Sequence, residues 1–400
     1  MTDTSTPATA DDFDPLAPET WESAHHEMRQ LRSRCPVAHT SAFNGFWLVT
    51  KHRDVTRILR DWRTFTTTVQ NVVPKVAFTG RRPPLHLDPP EHTPYRRALN
   101  PFFTNAKVAA MTGPIREIVI DLLDPLIDAD ACDFCVDFVH PLPGRVFAVF
   151  FNLPTETAMQ IREIVKGYDA ALQNTNDELV KQASLDLYEI ARQMIADRKA
   201  APMAPEDDPT SALLAATDEW GNPLPDDLIL GTLRQFIVVG MIAPIVFLGS
   251  VVVHLSQHPE IQRRLREDPG LIPAAIQEYL RLFTPYRGFA RTAREDVELG
   301  GRTVPKDAPI ALAYASANRD EDVFPDGDEF ILNRPNIGDH VAFGGGPHRC
   351  AGAPLAMELF RITLEELLAR TSAIEVNGPI RMSGWPEIGT LSVPVSLVRS

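Results

Sequence analysis

Cysteine is scarce in this 400-residue chain, which contains four of them. A small secreted domain stapled by disulfides would need a denser set, so that class is excluded. Cys132 and Cys135 form a C-x-x-C pair, but no second such pair and no histidine pair at ligand spacing accompanies it. A four-ligand zinc site is therefore disfavoured, and we expect both cysteines to be structural in a reducing cytoplasm.

Positive charge is also in short supply, since 39 lysines and arginines stand against 53 aspartates and glutamates, a net charge of −14. This balance argues against nucleic acid or an anionic membrane surface as the main partner. Because no linker, repeat or low-complexity block divides the chain, we predict one large domain over residues 19–400. Residues 1–18 lack an apolar run, and we expect a disordered tail and not a signal peptide.

Helical periodicity dominates the chain. Apolar residues recur at helical spacing across most of 92–282 and again through 353–370, whereas strand-like patterns are confined to about 37–50, 285–313 and 373–399. The sequence therefore predicts a mainly α fold with small β-sheets near both ends of the chain. Prolines 154, 209 and 259 stand where helix starts are expected.

One apolar run is long enough to be either a transmembrane helix or a buried core helix. The twenty residues from Phe236 to Leu255 carry no formal charge, which reaches the length of a transmembrane helix. A helix that is apolar on all sides can equally be the buried central helix of a large domain. No basic cluster flanks the run, so we expect the buried helix and no membrane association.

A glycine-rich segment carries the clearest chemical signal. Residues 343–352 read Phe-Gly-Gly-Gly-Pro-His-Arg-Cys-Ala-Gly and lie directly before a helical pattern that begins near Ala353. Three glycines let the backbone turn without Cβ clashes, and the N–H groups of such a turn, with the helix start, suit a thiolate. From position alone Cys350 is either a metal ligand or a small buried residue on a tight turn.

The segment resembles the haem-binding signature of the cytochrome P450 family. Glu278-Tyr279-Leu280-Arg281 is similar to that family's Glu-x-x-Arg element, and the stretch from Asn318 to Arg334 resembles the loop that locks it. Residues 88–97 are similar to the start of the helix that holds the haem propionates. The resemblance implies the P450 fold, a single domain with a long central distal helix.

The same resemblance implies the cofactor haem b (iron protoporphyrin IX) and Cys350 as the proximal ligand of its iron. Buried propionates need cationic or hydrogen-bonding partners. The positions that match the family's cofactor-binding motifs are His92, Arg96, Arg291, Phe343, His348, Cys350 and Gly352. Glu278 and Arg281 are expected to form a structural ion pair without a catalytic role.

The distal helix departs from the family pattern. Counting back from His258-Pro259 places Gly240 at the family's glycine, then Met241, with Ile242 and Ala243 at its acid and alcohol positions and Pro244 after them. Neither Ile nor Ala can donate a proton through its side chain. Pro244 removes a backbone N–H and frees a carbonyl. Protons could then arrive through water at that carbonyl or a substrate hydroxyl; otherwise oxygen activation uncouples, or the protein uses peroxide.

Substrate contacts are expected from several segments, most of them apolar, which suggests a small hydrophobic or aromatic substrate. An anionic substrate would instead need a pocket cation, for which Arg81, Arg82 and Arg287 are candidates. The expected contacts are the loop 66–85, the helices around 158–190, Met241, Ala243, the aromatic residues Phe65, Phe78 and Phe289, and the turn Ile388-Gly389-Thr390.

Electrons must come from a separate protein, because the chain lacks a reductase-sized extension and the cysteines for an iron–sulfur cluster. The resemblance implies a ferredoxin and its reductase, with Arg349, Lys107, Arg96 and Arg97 as a local basic patch. We therefore expect a monomeric, cytoplasmic haem-thiolate monooxygenase that hydroxylates or O-dealkylates its substrate. A peroxide-driven oxygenase and a non-catalytic haem docking protein remain the alternatives.

Overall fold

The computed structural model describes residues 11–17, 20–75, 79–129, 131–173 and 176–400. In these ranges the polypeptide is mostly helical, with a π-helical segment at Phe134–Val139 and short 3-10 turns between the longer elements. The α-helices are α1 (Trp21–Arg34), α2 (His52–Arg60), α3 (Thr93–Leu99), α4 (Asn105–Ala110), α5 (Thr112–Asp128), α6 (Pro141–Phe150), α7 (Thr155–Gln173), α8 (Asp177–Ala200), α9 (Pro209–Ala215), α10 (Asp226–Gln257), α11 (Pro259–Glu267), α12 (Ile272–Leu282), α13 (Tyr314–Ala317) and α14 (Ala353–Arg370).

The strands form small sheets at the side of the helical body. A five-stranded sheet has the order β1-β2-β8-β5-β3, in which β2 and β8 run parallel and the other neighbours antiparallel. A three-stranded antiparallel sheet has the order β4-β12-β9, and β6–β7 and β10–β11 form two further pairs. The strands are β1 (Val37–Thr40), β2 (Phe46–Val49), β3 (Phe65–Thr66), β4 (Ala131–Asp133), β5 (Phe289–Ala293), β6 (Val297–Leu299), β7 (Arg302–Val304), β8 (Pro309–Leu312), β9 (Thr371–Val376), β10 (Arg381–Met382), β11 (Thr390–Ser392) and β12 (Pro394–Arg399).

Helix α10 is the longest element and passes through the main core. It begins after Pro225 with Asp226 and Asp227 in its first turn, where carboxylates stabilise the positive end of the helix. By length and composition it could cross a membrane, but most of its apolar stretch is buried inside the protein. Its neighbours include α6 and α8, so it is the central core helix that the apolar run predicts.

Several predicted boundaries agree with the structure. Helix α14 spans Ala353–Arg370, and α9 and α11 begin at Pro209 and Pro259. The strands of all three predicted stretches are present, and the mainly α fold is confirmed. The sequence reasoning missed α1 and α2 and the short strands β3 and β4, which are too brief or too polar to show a clear period.

The N-terminal segment corrects one expectation. We expected residues 1–18 to form a disordered tail, and residues 1–10 and 18–19 lie outside the described residues. Residues 11–17 instead pack on the sheet: Phe13 is buried edge-to-face against Phe46, and the Asp12 carboxylate accepts a hydrogen bond from the His39 N–H. Arg302 pairs with the same carboxylate. A buried aromatic ring and a shared carboxylate order this segment despite its polar composition.

Candidate active site

The glycine-rich loop holds Cys350 at the start of α14. The Cys350 N–H donates to the Phe343 carbonyl at 2.9 Å, which closes the loop on itself. Gly346 has φ +61°, and a Cβ atom there would lie 2.2 Å from the Leu59 carbonyl oxygen of α2. Only glycine therefore permits both the left-handed backbone and this close approach.

The Cys350 side chain remains accessible to a ligand. Burial by the surrounding protein raises the pKa of its thiol, while the Gly352 N–H, the Arg96 and Arg349 guanidinium groups and the Ala353 N–H all act to lower that pKa. Backbone donors and cations thus converge on the sulfur from the N-terminus of α14. This environment suits a thiolate that is held as a metal ligand.

The predicted propionate partners lie in one cluster. The rings of His92 and His348 are 5.1 Å apart, and His92 Nε2 forms a hydrogen bond with the Pro347 carbonyl at 3.1 Å. Arg96 lowers the pKa of His92, and Arg291 lowers the pKa of His348, although burial is the larger cause for both histidines. The structure therefore brings His92, Arg96, Arg291 and His348 together, next to the loop that carries Cys350.

Asp88 is a buried acid in this cluster to which sequence reasoning gave no role. Its carboxylate accepts hydrogen bonds from the hydroxyls of Thr66 and Thr67 and from Arg294 Nη2 at 2.7 Å, and it lies 3.6 Å from His348 Nε2. Burial raises the pKa of Asp88, but the hydrogen bonds from His348, Thr66 and Arg294 outweigh burial and hold that pKa well below its usual range. Asp88 is thus an ionised anchor that orients His348.

The cluster has the charge that a dianionic cofactor edge requires. Arg291 is 4% exposed, and its Nη1 donates to the Ala290 carbonyl at 2.8 Å. Burial lowers the pKa of Arg291, with Tyr314 and Asp88 opposing that effect. Arg96 and Arg291 supply positive charge, and the rings of His92 and His348 supply hydrogen-bonding nitrogens. Because the Asp88 carboxylate is already engaged by Thr66, Thr67 and Arg294, the residues present fit the two propionates of haem b.

Helix α10 presents an unusual distal surface. Val239 is 44% exposed although it lies in the middle of the core helix, and Ala243, one turn later, is half-buried. Gly240 faces α6, because a Cβ atom there would lie 2.1 Å from the Phe147 ring. Met241 and Ile242 are buried in the main core.

Pro244 lies inside the same helix and is buried. Proline has no N–H, so the Gly240 carbonyl lacks its usual i→i+4 partner. The free carbonyl lies near Ala243 on the helix, because a helical carbonyl points toward the residues three and four positions later. Helix α10 thus has a backbone oxygen without its usual helical partner close to the positions where the family pattern has an acid and an alcohol.

The predicted bracing pair is present. Arg281 Nε and Nη2 donate to the two Glu278 carboxylate oxygens at 2.8 and 2.7 Å, and Arg281 Nη1 donates to the Asn318 and Gly327 carbonyls. Arg334 Nε donates to Glu278 at 3.1 Å. Both members of the pair are buried, so the stretch 318–334 locks the Glu-x-x-Arg element as expected.

Other predicted substrate contacts have different surroundings. Phe65 is fully buried in the core beside the five-stranded sheet, and Phe289 is half-buried with its ring against Tyr286 and Tyr314. Gly389 packs against α10, where its Cβ would lie 2.5 Å from the Val246 carbonyl. Phe78 lies outside the described residues.

The three candidate pocket cations also differ. Arg81 is exposed, whereas Arg82 is buried on the loop between β3 and α3. Arg287 is buried elsewhere, with its Nε donating to the Glu387 carbonyl at 3.1 Å and its guanidinium over the Trp385 ring. Arg287 is thus already engaged by the protein, and Arg82 is the buried candidate that remains.

A groove of about 790 Å³ lies on the cysteine side of the molecule. Phe343, Arg349 and Ala353 line it, together with residues of α4 and α12. Of the predicted basic patch, Arg349 is exposed, whereas Lys107 donates to Asp207 and Arg97 to the Thr217 carbonyl. Arg349 is therefore the basic residue of that patch which lines the groove.

Comparisons with known proteins agree with this geometry. The sequence model described as "Cytochrome P450" matches residues 270–396. The chain is 33% identical to Nocardicin C N-oxygenase of Nocardia uniformis subsp. tsuyamanensis, over 93% of this chain and 92% of the relative. It is 32% identical to Cytochrome P450-SU2 of Streptomyces griseolus, over 92% of this chain and 89% of the relative.

Among solved structures, Cytochrome P450 CYP109Q5 from Chondromyces apiculatus superposes with a TM-score of 0.87 and 26% identity, covering 97% of this chain and 98% of the other. The small sheets, the long core helix and the cysteine loop are therefore shared with an established fold. Identity of this extent along nearly the whole chain means that the protein belongs to the cytochrome P450 family of oxygenases, whose members bind haem b.

Proposed function

We propose that the protein is a haem-thiolate monooxygenase that inserts one oxygen atom from dioxygen into a small hydrophobic substrate by hydroxylation or O-dealkylation. The observation that carries the proposal is the accessible Cys350 sulfur, on which two backbone N–H groups and two arginines converge. In this proposal Cys350 would bind the haem iron, and His92, Arg96, Arg291 and His348 would hold the propionates. Phe343 and Gly352 shape the loop around the sulfur.

A haem with a thiolate ligand supplies activated oxygen, because the thiolate donates electron density that favours cleavage of the O–O bond. The residues of this chain do the rest. Donors to the Cys350 sulfur oppose the rise in its pKa that burial causes, and the Asp88 carboxylate fixes the orientation of His348. The Glu278–Arg281 pair stiffens the cysteine side of the molecule without touching substrate.

The proton route is the unusual part of the proposal. Ile242 and Ala243 cannot hold or release a proton, so the Gly240 carbonyl oxygen is the acceptor that α10 offers. A water molecule that donates to this oxygen has its second hydrogen free to reach the reaction centre. Gly240, Ile242, Ala243 and Pro244 act here through backbone shape, while Met241 supports the helix by packing.

A separate ferredoxin and its reductase supply the electrons in this proposal, and the groove beside Cys350 is the proposed docking surface. Arg349 lies at its edge and is exposed, so it can pair with an acidic ferredoxin. The relatives that match include bacterial enzymes named as hydroxylases or epoxidases. We further propose a monomer in the cytoplasm.

The test of the haem assignment is spectroscopic. The reduced, carbon-monoxide-bound protein should show the thiolate-dependent Soret band, and Cys350→Ala should abolish it. Cys135→Ala is the matched control, since Cys135 is buried on the π-helical segment against Thr390 and should leave the spectrum unchanged. An unaltered spectrum in Cys350→Ala would refute the proposed role of Cys350 as the iron ligand.

A peroxide-driven oxygenase is the second candidate, because α10 lacks the acid and alcohol that support the use of dioxygen in the family. Product formation with hydrogen peroxide and no reductase, at a rate above that with NADH, ferredoxin and reductase, would favour it. Tight coupling of NADH to product that Ala243→Thr leaves unchanged would exclude a proton-delivery defect. The two reactions can be measured on the same preparation.

A further inference from the structure

Two buried arginines lie together on the side of α10 that faces α7 and α8. Arg234 is 1% exposed and Arg82 is 6% exposed. The Arg234 guanidinium lies 5.5 Å from the centre of the Tyr168 ring of α7, and its Nη2 donates to the Ser184 hydroxyl of α8 at 2.9 Å. Burial lowers the pKa of Arg82 to about 10, and Arg234 is the next largest cause.

The loop that carries Arg82 contacts both α8 and α10. The Thr79 and Ser184 hydroxyls are 2.8 Å apart. On α10, a Cβ atom at Gly231 would lie 1.9 Å from the Arg81 carbonyl oxygen, so the loop backbone rests directly on the helix at this glycine. Glycine at 231 therefore places Arg82 one turn from Arg234.

The described residues supply no counter-ion for this arginine pair, because no carboxylate among them forms an ion pair with Arg82 or Arg234. The Nε atoms of both arginines and the Tyr188 hydroxyl are buried without a hydrogen-bond partner. Arg281, which is also deeply buried, shows the contrast, because Glu278 binds it with both oxygens.

The positive charge of this arginine pair also affects the pKa of a nearby histidine, His86. His86 is buried and forms a hydrogen bond with Asn71 Oδ1 at 2.7 Å. Burial lowers the pKa of His86 to about 3, and the positive charges of Arg82 and Arg234 contribute to that lowering. Burying two like charges without an anion is costly, so the site has a strong electrostatic preference for a negative ligand.

We propose that Arg82 and Arg234, together with the hydroxyls of Ser184 and Tyr188, bind the carboxylate of the substrate. Each guanidinium presents N–H donors in a planar fork that matches the two oxygens of a carboxylate. The inference rests on the proposed oxygenase function and narrows its substrate to amphiphilic acids with an apolar body. It differs from the propionate cluster, which is built from His92, Arg96, Arg291 and His348.

The spacing along α10 sets the size of such a substrate. Arg234 precedes Ala243 by nine residues, which corresponds to about 13.5 Å along the helix axis and to two and a half turns around it. Ala243 therefore lies on the face of α10 opposite Arg234, and an apolar chain from a carboxylate at Arg234 has to pass around the helix as well as along it to reach Ala243. Medium-chain acids fit this description better than short aromatic acids.

The test compares one apolar chain with different head groups. Dodecanoate, dodecanamide and dodecyl phosphate are titrated into the haem-loaded protein, and affinity is measured by calorimetry and by the Soret spin-state shift. Dodecanoate should bind more tightly than the amide, and Arg234→Gln and Arg82→Gln should each weaken it about 10- to 100-fold, as expected for a charged hydrogen bond. Arg81→Gln is the matched control, because Arg81 is the exposed neighbour of Arg82, and it should change the affinity for neither dodecanoate nor dodecanamide.

The amide also controls for folding, because a variant that still binds it with the original affinity has kept its pocket. Equal binding of acid and amide by a protein with a normal thiolate spectrum would overturn the carboxylate site while leaving the oxygenase proposal intact. Absence of the thiolate spectrum in the wild-type protein would instead refute the proposed function. Tighter, arginine-dependent binding of dodecyl phosphate would overturn the carboxylate assignment in favour of a phosphate.

Discussion

Pro244→Ala should make the protein more stable and its oxygen chemistry less efficient. Proline in a helix interior is less favourable than alanine by about 3 kcal/mol. Pro244 is buried, and the substitution removes two ring methylenes, each of which contributes about 0.8 kcal/mol. We therefore expect the free energy of unfolding to rise by about 1 kcal/mol.

The same substitution, Pro244→Ala, should reduce the efficiency with which NADH oxidation is coupled to product formation. Alanine restores an N–H that donates to the Gly240 carbonyl, so that oxygen no longer accepts a hydrogen bond from water. The fraction of NADH that ends in product should then fall several-fold, measured with a substrate that shifts the spin state. Stability is measured by urea unfolding of the haem-loaded protein.

Pro125→Ala supplies the matched control. Pro125 also lies inside a helix, α5, but is exposed and remote in sequence from the distal surface. The same substitution there should stabilise the protein without any change in coupling. A Pro244→Ala protein that is less stable and equally coupled would refute both the helix argument and the proposed role of the Gly240 carbonyl.

Four further predictions follow from other parts of the molecule. Glu278→Gln should lower the free energy of unfolding by about 3–5 kcal/mol, because it leaves the Arg281 and Arg334 guanidinium groups buried without their carboxylate. Urea unfolding measures this loss, with Glu260→Gln at an exposed carboxylate as the control. A loss as small as that of the control would contradict the prediction. Gly231→Ala should displace the loop 79–87 and abolish tight binding of dodecanoate, measured by calorimetry. Gly113→Ala is the control and should leave the affinity for dodecanoate unchanged, because a Cβ atom there meets no atom within 4 Å. Tight binding of dodecanoate by Gly231→Ala would argue against the loop contact. His86 has a pKa of about 3 in the folded protein and an ordinary pKa near 6.5 in the unfolded chain. Between these two pH values the unfolded chain binds a proton at His86 that the folded protein does not bind. Stability should thus decline as the pH falls through this window, and urea unfolding of His86→Asn should show a shallower decline; equal slopes would contradict the assignment. Arg349→Glu should slow reduction by an acidic ferredoxin in stopped-flow measurements at low salt, and a rate equal to that of the wild-type protein would exclude this docking edge.

Local sequence signals predicted the cysteine side of the site well. Glycines that must adopt positive φ, a cysteine at a helix start and an ion pair three residues apart are all features of short segments, so their geometry follows from the chain nearby. The start of α14 at Ala353 and the Glu278–Arg281 contact agree with the structure for that reason.

The arginine pair could not be predicted in the same way. Arg82 and Arg234 are 152 positions apart, and nothing near either residue indicates that they meet. One signal was present, since Arg234 stands two residues before a twenty-residue uncharged run and on the same core helix. Arg287 shows why composition was insufficient, because it looked equivalent to Arg82 but is bound by Glu387 and Trp385.

The packing of Gly240 against Phe147 restricts how this protein could evolve. Any side chain at 240 would collide with the Phe147 ring, and an acid at 242 would enter the main core without a partner. Gly240 already matches the family pattern, so restoring the relay needs an acid at 242 and an alcohol at 243. The acid would bury an unpaired charge, so a single substitution at Ala243 is more easily accommodated than the complete pair.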